Sequence, residues 1–287
     1  LKESRKEFLK KSAYLMAGAS TLPLISCSSP TKPNKKEIGV QLWSIREFMD
    51  QNFEKAIASI AEIGFNYVEG YGLNYEGIFP GLVTANQYER TVAQNGMRIA
   101  SCHASYFQAD EASRRIEIAH RLGVEWVVIP WLSEEQRSGY YKIAENLNAI
   151  GEQFKKAGIG FGYHNHDFEF DLTEEGEVPQ EILMDNTDPE YVSFQADLYW
   201  FKKAGVDPLE YIKKYPGRFC SYHIKDANKD LDQTTIGTGI IDFESILAEN
   251  KKAGIQYVFV EDERLNTPLE NAKDGFNYLK GIEFNTF

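Results

Sequence analysis

EIGFNYVEG, residues 62–70, joins the end of an amphipathic helical stretch to a short apolar strand through a single glycine. Phe53, Ile57, Ile60, Ala61 and Gly64 recur upstream at helical spacing. Glycine just past a helix end relieves the left-handed turn with which the chain leaves the helix. The same junction returns in QNGMRIASCH (94–103), RLGVEWVVIP (121–130), KAGIGFGYHNH (156–166), YPGRFCSYHIKD (215–226) and KAGIQYVFVED (252–262). Two further strands need no such glycine. Ile38 to Trp43 opens the series, and Val192 to Asp197 follows the turn Asp188-Pro189.

The pattern predicts strands near 38–43, 66–71, 98–103, 125–130, 159–165, 192–197, 219–224 and 256–261, with helices between them. A spacing near 30 residues is that of one βα unit. Eight such units in about 250 residues make one α/β domain, a (β/α)8 TIM barrel. An open doubly wound sheet is the alternative, but it normally places a glycine-rich phosphate loop after its first strand. Here Trp43-Ser44-Ile45-Arg46 follows, without glycine.

A barrel of this kind carries its chemistry at the C-terminal ends of its strands. Those ends are Gln41 and Trp43, Glu69, His103, Pro130 and Trp131, His164 and His166, Asp197, His223 and Lys225, and Glu261. Strand side chains alternate between faces. If His223 points into the mouth, so does Lys225. If His103 and Glu261 point inward, Cys102 and Val260 face the helices. His164 and His166 share a face. Imidazole and carboxylate donors without a thiolate suit one divalent ion, Mn²⁺, Zn²⁺, Co²⁺ or Mg²⁺. His223, Asp197 and Glu261 are the expected ligands, with His164 as the fourth. Glu261, His166 and Lys225 are the candidate catalytic groups. Trp43, Glu69, His103, Trp131, Glu169 and Trp200 are candidate substrate contacts. Each also has a plainer reading: Asp197 as a helix cap, His223 as a core histidine, Glu261 as part of the acidic run with Asp262 and Glu263.

The 287-residue chain has a formal net charge of −12, with 43% hydrophobic and 13% aromatic residues. This is a globular composition with ample material for a core. The acidic balance argues against nucleic acid as a partner. Residues 1–26 read differently from the rest. Five Lys/Arg against two Asp/Glu give them +3, leaving −15 for the remainder. A basic stretch (Lys2, Arg5, Lys6, Lys10, Lys11) precedes a short apolar run from Ala13 to Leu24, the pattern of an export signal. SRKEFLK (4–10) resembles a twin-arginine signal with Lys6 in place of the second arginine. Leu24-Ile25-Ser26-Cys27 resembles a bacterial lipobox, which implies cleavage before Cys27 and a lipid on its sulfur. The expected organisation is a signal at 1–26, a tether at 27–36 and the barrel at 37–287. The expected location is the periplasmic side of the cell envelope, with the membrane reached only through the anchor on Cys27. Cys102 and Cys220 fall on strands half a barrel apart, beyond disulfide reach.

GVQLWS (39–44), IGFNYVEGYG (63–72), SCHASYF (101–107), GYHNHDFEF (162–170), QADLYW (195–200), GRFCSYHIKD (217–226), IGTGIIDF (236–243) and FVEDE (259–263) together carry a family resemblance. Residues 37 to 284 resemble the xylose isomerase-like TIM barrels of the sugar phosphate isomerase/epimerase group. The resemblance implies a metal held by Glu, Asp, His and Glu from strands five to eight. Asp197, His223 and Glu261 stand at the last three positions. The fifth-strand place falls on His164, with Glu169 five residues later. The endonuclease branch of the group carries a histidine three residues after the sixth-strand aspartate, where this chain has Trp200.

These readings lead to a metal-dependent isomerase or epimerase of a small sugar or keto-sugar, working through an enediolate. A lyase or hydrolase-like enzyme on 3-keto-glycosides shares the chemistry. A carbohydrate-binding lipoprotein with a vestigial site is the reading from another class. The partner is a small carbohydrate, and pairing into a homodimer is compatible with the fold. IGTG (236–239) is the one weak phosphate-loop candidate and reads rather as a turn.

Overall fold

The computed structural model describes residues 36–73 and 81–284. The signal segment, Cys27 and the tether expected at the N-terminus lie outside the described residues, apart from Lys36. Eight parallel strands close into a barrel: β1 Gly39–Gln41, β2 Tyr67–Leu73, β3 Arg98–Ala104, β4 Trp126–Ile129, β5 Gly160–His164, β6 Ser193–Asp197, β7 Phe219–Ile224 and β8 Tyr257–Val260. Each strand pairs with its neighbour in sequence, and β1 closes the ring by pairing with both β2 and β8. A two-stranded antiparallel ladder, Asp226–Ala227 with Gln233–Thr234, stands on the loop after β7. Among the described residues no helix is long and apolar enough to cross a membrane.

The junction glycines behave as their spacing predicts. Gly64 caps the helix Phe53–Ile63 at φ 118°, and a Cβ there would also strike the Phe276 ring. The other five junction glycines also have positive φ. Strand limits shift by one or two residues from expectation. The largest consequence is at β1, which stops at Gln41 because Leu42–Ile45 winds into a 3₁₀ turn. Trp43 therefore sits on that turn rather than on a strand, and is 41% exposed.

The barrel interior is layered. At the N-terminal end Tyr67, Ala100, Tyr257 and Phe259 cluster apart from the main core, with Trp126 packed against them. Gly39 and Gly160 make room for this layer, since a Cβ on either would run into the rings of Tyr67 or Trp126. One strand step further, the interior turns polar: Gln41, Glu69, His103, His164, Gln195, Ser221 and His223 are all buried. The outer faces of the strands carry Val68, Cys102, Tyr222 and Val260 into the larger core under the helices. Cys102 on β3 and Cys220 on β7 are buried free thiols, four strands apart around the ring.

Candidate metal centre and active site

His223, on β7, is the hub of the polar layer. Its Nδ1 lies 2.6 Å from Glu261 Oε2, and its Nε2 lies 2.6 Å from Glu69 Oε2. β7 places it there because Ser221, His223 and Lys225 share one face at period 2. Glu261 lies one residue past the end of β8, and its N–H donates to Ile224 O of β7 at 3.1 Å. Asp197 ends β6 in register with His223. Its Oδ1 caps the helix Leu198–Lys203 by accepting from the N–H groups of Tyr199 and Trp200 at 3.0 and 3.2 Å. The capping reading of Asp197 is thus correct for one oxygen. The other, Oδ2, is buried and has no well-aligned hydrogen bond. Around it lie Lys225 Nζ at 3.0 Å, His164 Nε2 at 3.8 Å and His223 Nδ1 at 3.9 Å.

Two donor groups result, each with its ligating atoms within 4.8 Å of one another: Asp197, His223 and Glu261, and His103, His164 and His223. His164 therefore belongs to the second group while facing Asp197 of the first. A carboxylate oxygen buried beside two imidazoles is a costly arrangement without a cation, and here the Lys225 ammonium at 3.0 Å stands where a metal ion could stand instead. The chemistry of either group suits a divalent ion; Asp197, His223 and Glu261, with His164 Nε2 3.8 Å from Asp197 Oδ2, present nitrogen and carboxylate donors that leave its identity open among Zn²⁺, Mn²⁺, Co²⁺ and Mg²⁺.

Gln195, two residues before Asp197 on β6, ties the layer together. Its Oε1 lies 2.7 Å from His103 Nε2 and 3.0 Å from His164 Nδ1. Its amide donates to Glu69 Oε1 at 2.7 Å and to Ser221 Oγ at 3.0 Å. Gln41 donates to Glu69 Oε2 at 3.0 Å. Neither amide is a metal ligand or a general base, so a search for such groups passes over both. The period-2 relation of Gln195 to Asp197 was the available signal.

Burial and neighbouring charge set the protonation states. Burial opposes charge on His223, but Glu261 and Glu69 outweigh it and lift its pKa to about 10. Burial favours the neutral form of Glu69, yet His103 and His223 hold it well below the usual carboxylate range. Glu261 is likewise held low by Lys225 and His223 against the effect of burial. Burial lifts Asp197 to about 6, with Lys225 pulling the other way. Burial, reinforced by the charge of His223, keeps His164 neutral well below its usual range. Burial and Lys225 lower His166 to about 3.

His166 lies beyond β5, with its ring 5.0 Å from that of His164. Phe168 stacks on it at 5.7 Å and Trp200 packs at 5.0 Å. Its Nδ1 and Trp200 Nε1 are both buried without a partner. Glu169 is placed differently from the expectation of a fifth-strand ligand or substrate contact. Phe168–Phe170 forms a 3₁₀ turn that directs its fully buried carboxylate away from the donor groups. It accepts instead from Tyr163 Oη at 2.5 Å and from the His166 N–H at 2.8 Å. At the rim, Trp131 is 48% exposed beside Arg137, and Trp43 carries the Arg46 guanidinium over its ring at 4.4 Å. The IGTG loop wraps a carboxylate of the chain itself. Asp226 accepts from the N–H groups of Gly237, Gly239 and Ile241 at 3.0, 2.9 and 3.3 Å.

Over residues 57–282 the sequence matches the family described as xylose isomerase-like TIM barrel. It is 32% identical over 175 residues to an inosose dehydratase of Clostridium perfringens, covering 52% of this chain and 56% of that enzyme. It is 25% identical to an inosose dehydratase of Bacillus cereus, covering 80% of this chain and 90% of that enzyme. The chain thus spans little more than half the length of the first of these relatives. A sugar phosphate isomerase/epimerase structure from Parabacteroides distasonis superposes with a TM-score of 0.78 at 27% identity, over 92% of this chain and all of that one.

Proposed function

The chain belongs to the xylose isomerase-like TIM barrel family, and from that premise we propose that it removes the proton α to the carbonyl of a small sugar, keto-sugar or keto-cyclitol. The observation that carries this reading is the convergence of buried Asp197, His223 and Glu261 donor atoms within 4.8 Å of one another, with His164 Nε2 3.8 Å from Asp197 Oδ2 and the His166 ring 5.0 Å from that of His164. A divalent ion held by Asp197, His223, Glu261 and His164 would supply Lewis-acid polarisation of the carbonyl. His166 Nδ1 has no hydrogen-bond partner, which makes it the candidate base; burial and the Lys225 charge weaken it in that role, so proton uptake there depends on Lys225 moving away or being offset by substrate. His103, whose ring nitrogens face Gln195, Glu69 and Gln41, supports the layer beneath the substrate rather than offering it a free hydrogen bond. Trp43 and Trp131 offer exposed ring faces to the apolar side of a sugar.

The same geometry bears on the step after proton removal. A two-base epimerase of the two-glutamate kind needs a carboxylate on each face of the substrate. Here β5 ends in His164, and Glu169 is turned toward Tyr163. β-Elimination of water or of a glycosidic oxygen needs only one base at the α-carbon, and the similarity to inosose dehydratases supports it. Isomerisation is the second reading, supported by the likeness to the Parabacteroides isomerase/epimerase structure. An unphosphorylated substrate is favoured, because the N–H groups of the one candidate phosphate loop are engaged by Asp226.

The test is proton exchange in D₂O, followed by NMR, with an inosose and with 3-keto-glucosides, on protein loaded with Mn²⁺ or Zn²⁺ and on chelator-stripped protein. Metal-dependent deuteration with loss of water or aglycone establishes the lyase. Deuteration with the carbon skeleton and all hydroxyls retained establishes the isomerase. A loaded protein that exchanges no proton of any of these ketones would sink the proposal.

A further inference from the structure

Lys225 extends from the end of β7, two residues beyond His223, and its side chain is almost wholly buried. Its ammonium lies 3.0 Å from Asp197 Oδ2, 2.9 Å from Glu261 Oε2 and 2.7 Å from Glu263 Oε1. The first two oxygens belong to the donor group that fits a divalent ion. The third does not. Glu263 is 32% exposed, and its backbone is anchored elsewhere: its N–H donates to Gln233 Oε1 at 3.0 Å and its carbonyl accepts from Arg46 at 3.3 Å.

The ammonium therefore occupies the oxygens that a divalent ion would need. Two cations on the same pair of oxygens repel strongly in a buried site. Glu261 Oε2 already faces His223 Nδ1 as well as Lys225, which leaves it no third lone pair to share. The backbone under Lys225 is fixed, because the neighbouring Asp226 carboxylate binds the N–H groups of Ala227, Gly237, Gly239 and Ile241. Any movement is confined to the flexible side chain. The Trp200 and Tyr199 rings, 5.5 and 6.0 Å from the ammonium, offer it aromatic faces along the way.

We propose that Lys225 is an exchangeable counter-cation: it neutralises Asp197 and Glu261 when no divalent ion is bound, and withdraws onto Glu263 when one enters. Lys225 and Glu263 together then set the metal affinity of a site in which neither is a ligand. The inference rests on the metal reading above.

Zn²⁺ affinity, measured by chelator competition on the full chain, tests it in four proteins: wild type, Lys225→Met, Glu263→Gln and the double variant. Lys225→Met binds at least tenfold more tightly than wild type. Glu263→Gln binds three- to tenfold more weakly, because the displaced ammonium loses its receiving carboxylate. The double variant matches Lys225→Met within twofold. Unchanged or weaker binding by Lys225→Met overturns the exchange and leaves the metal site standing. So does an equal loss from Glu263→Gln in both backgrounds, which is the signature of a simple field effect. Absence of binding by all four proteins overturns the metal site and the exchange with it. Should Lys225→Met fail to fold by circular dichroism, Lys225→Gln, also uncharged and able to hydrogen-bond the carboxylates, carries the same expectations.

Discussion

His223 presents one ring nitrogen to Glu261 and the other to Glu69, each at 2.6 Å. Removing the ring leaves two buried carboxylates facing a void. Breaking such a buried pair costs about 3–5 kcal/mol, and the same change deletes a metal donor. His223→Ala is therefore expected to lose stability by that amount in thermal or urea unfolding and to lose bound metal, by elemental analysis, together with activity. A variant that keeps a full equivalent of metal would exclude His223 as a ligand. His223, Asp197 and Glu261 were legible in the sequence because each stands at a strand end where the barrel gathers its chemistry. Gln195 was not, although His103, His164, Glu69 and Ser221 all lie within hydrogen-bond reach of its amide. Its period-2 relation to Asp197 puts it on the inner face, but an amide there has no chemical signature until its neighbours are known. Glu263 read as part of a solvated acidic run, and only the structure shows Lys225 reaching it.

The segment after β5 shows what an element adds to its residues. In sequence, Glu169 is five positions past His164 and competes with it for the fifth-strand place. The 3₁₀ turn at Phe168–Phe170 folds Glu169 inward onto Tyr163 and the His166 backbone, so that it holds the loop on which His166 is carried. Periodicity predicts strands and helices well, and here strand ends shifted by one or two residues. Short 3₁₀ turns carry no period, which is why Trp43 and Glu169 were the residues whose placement changed. Burial lifts the Glu169 pKa to about 7 from 4.5. The folded state therefore holds this proton more tightly than the unfolded chain. Its contribution to stability is full below about pH 4.5 and is lost as the pH rises through about 7. At about 1.4 kcal/mol per tenfold change in proton affinity, the loss is at most roughly 3 kcal/mol. Glu169→Gln cannot ionise; it keeps one acceptor oxygen for the His166 N–H, while its NH2 group faces the Tyr163 hydroxyl and donates to it in place of accepting from it. Unfolding free energies measured from pH 5 to 8 should fall less steeply in the variant than in wild type. Parallel curves would show that Glu169 ionises in both states alike.

At the scale of the whole barrel, stability and chemistry occupy different layers of one interior. The aromatic plug at the N-terminal end was not legible from strand periodicity alone, because residues 39 and 160 read simply as glycines. Their role appears only when the closed ring sets Tyr67 and Trp126 against them. The Tyr67 hydroxyl accepts from Val258 N at 2.9 Å and lies 3.2 Å from Val258 O, joining β2 to β8 across the intervening β1. Tyr67→Phe keeps the ring and its packing against Tyr257 and Phe259 but leaves the buried Val258 N–H without this acceptor. An unsatisfied buried donor costs about 1–3 kcal/mol, which for a domain of this size lowers Tm by roughly 2–12 °C. Glu69 follows Tyr67 by two residues on the same strand face, so the two layers are covalent neighbours. If the barrel nevertheless separates them, Tyr67→Phe melts earlier yet binds Zn²⁺ within twofold of wild type. A parallel loss of metal affinity would mean that the plug positions the donors as well as closing the ring, because a shift of β2 would reach His223 through Glu69, which bonds its Nε2.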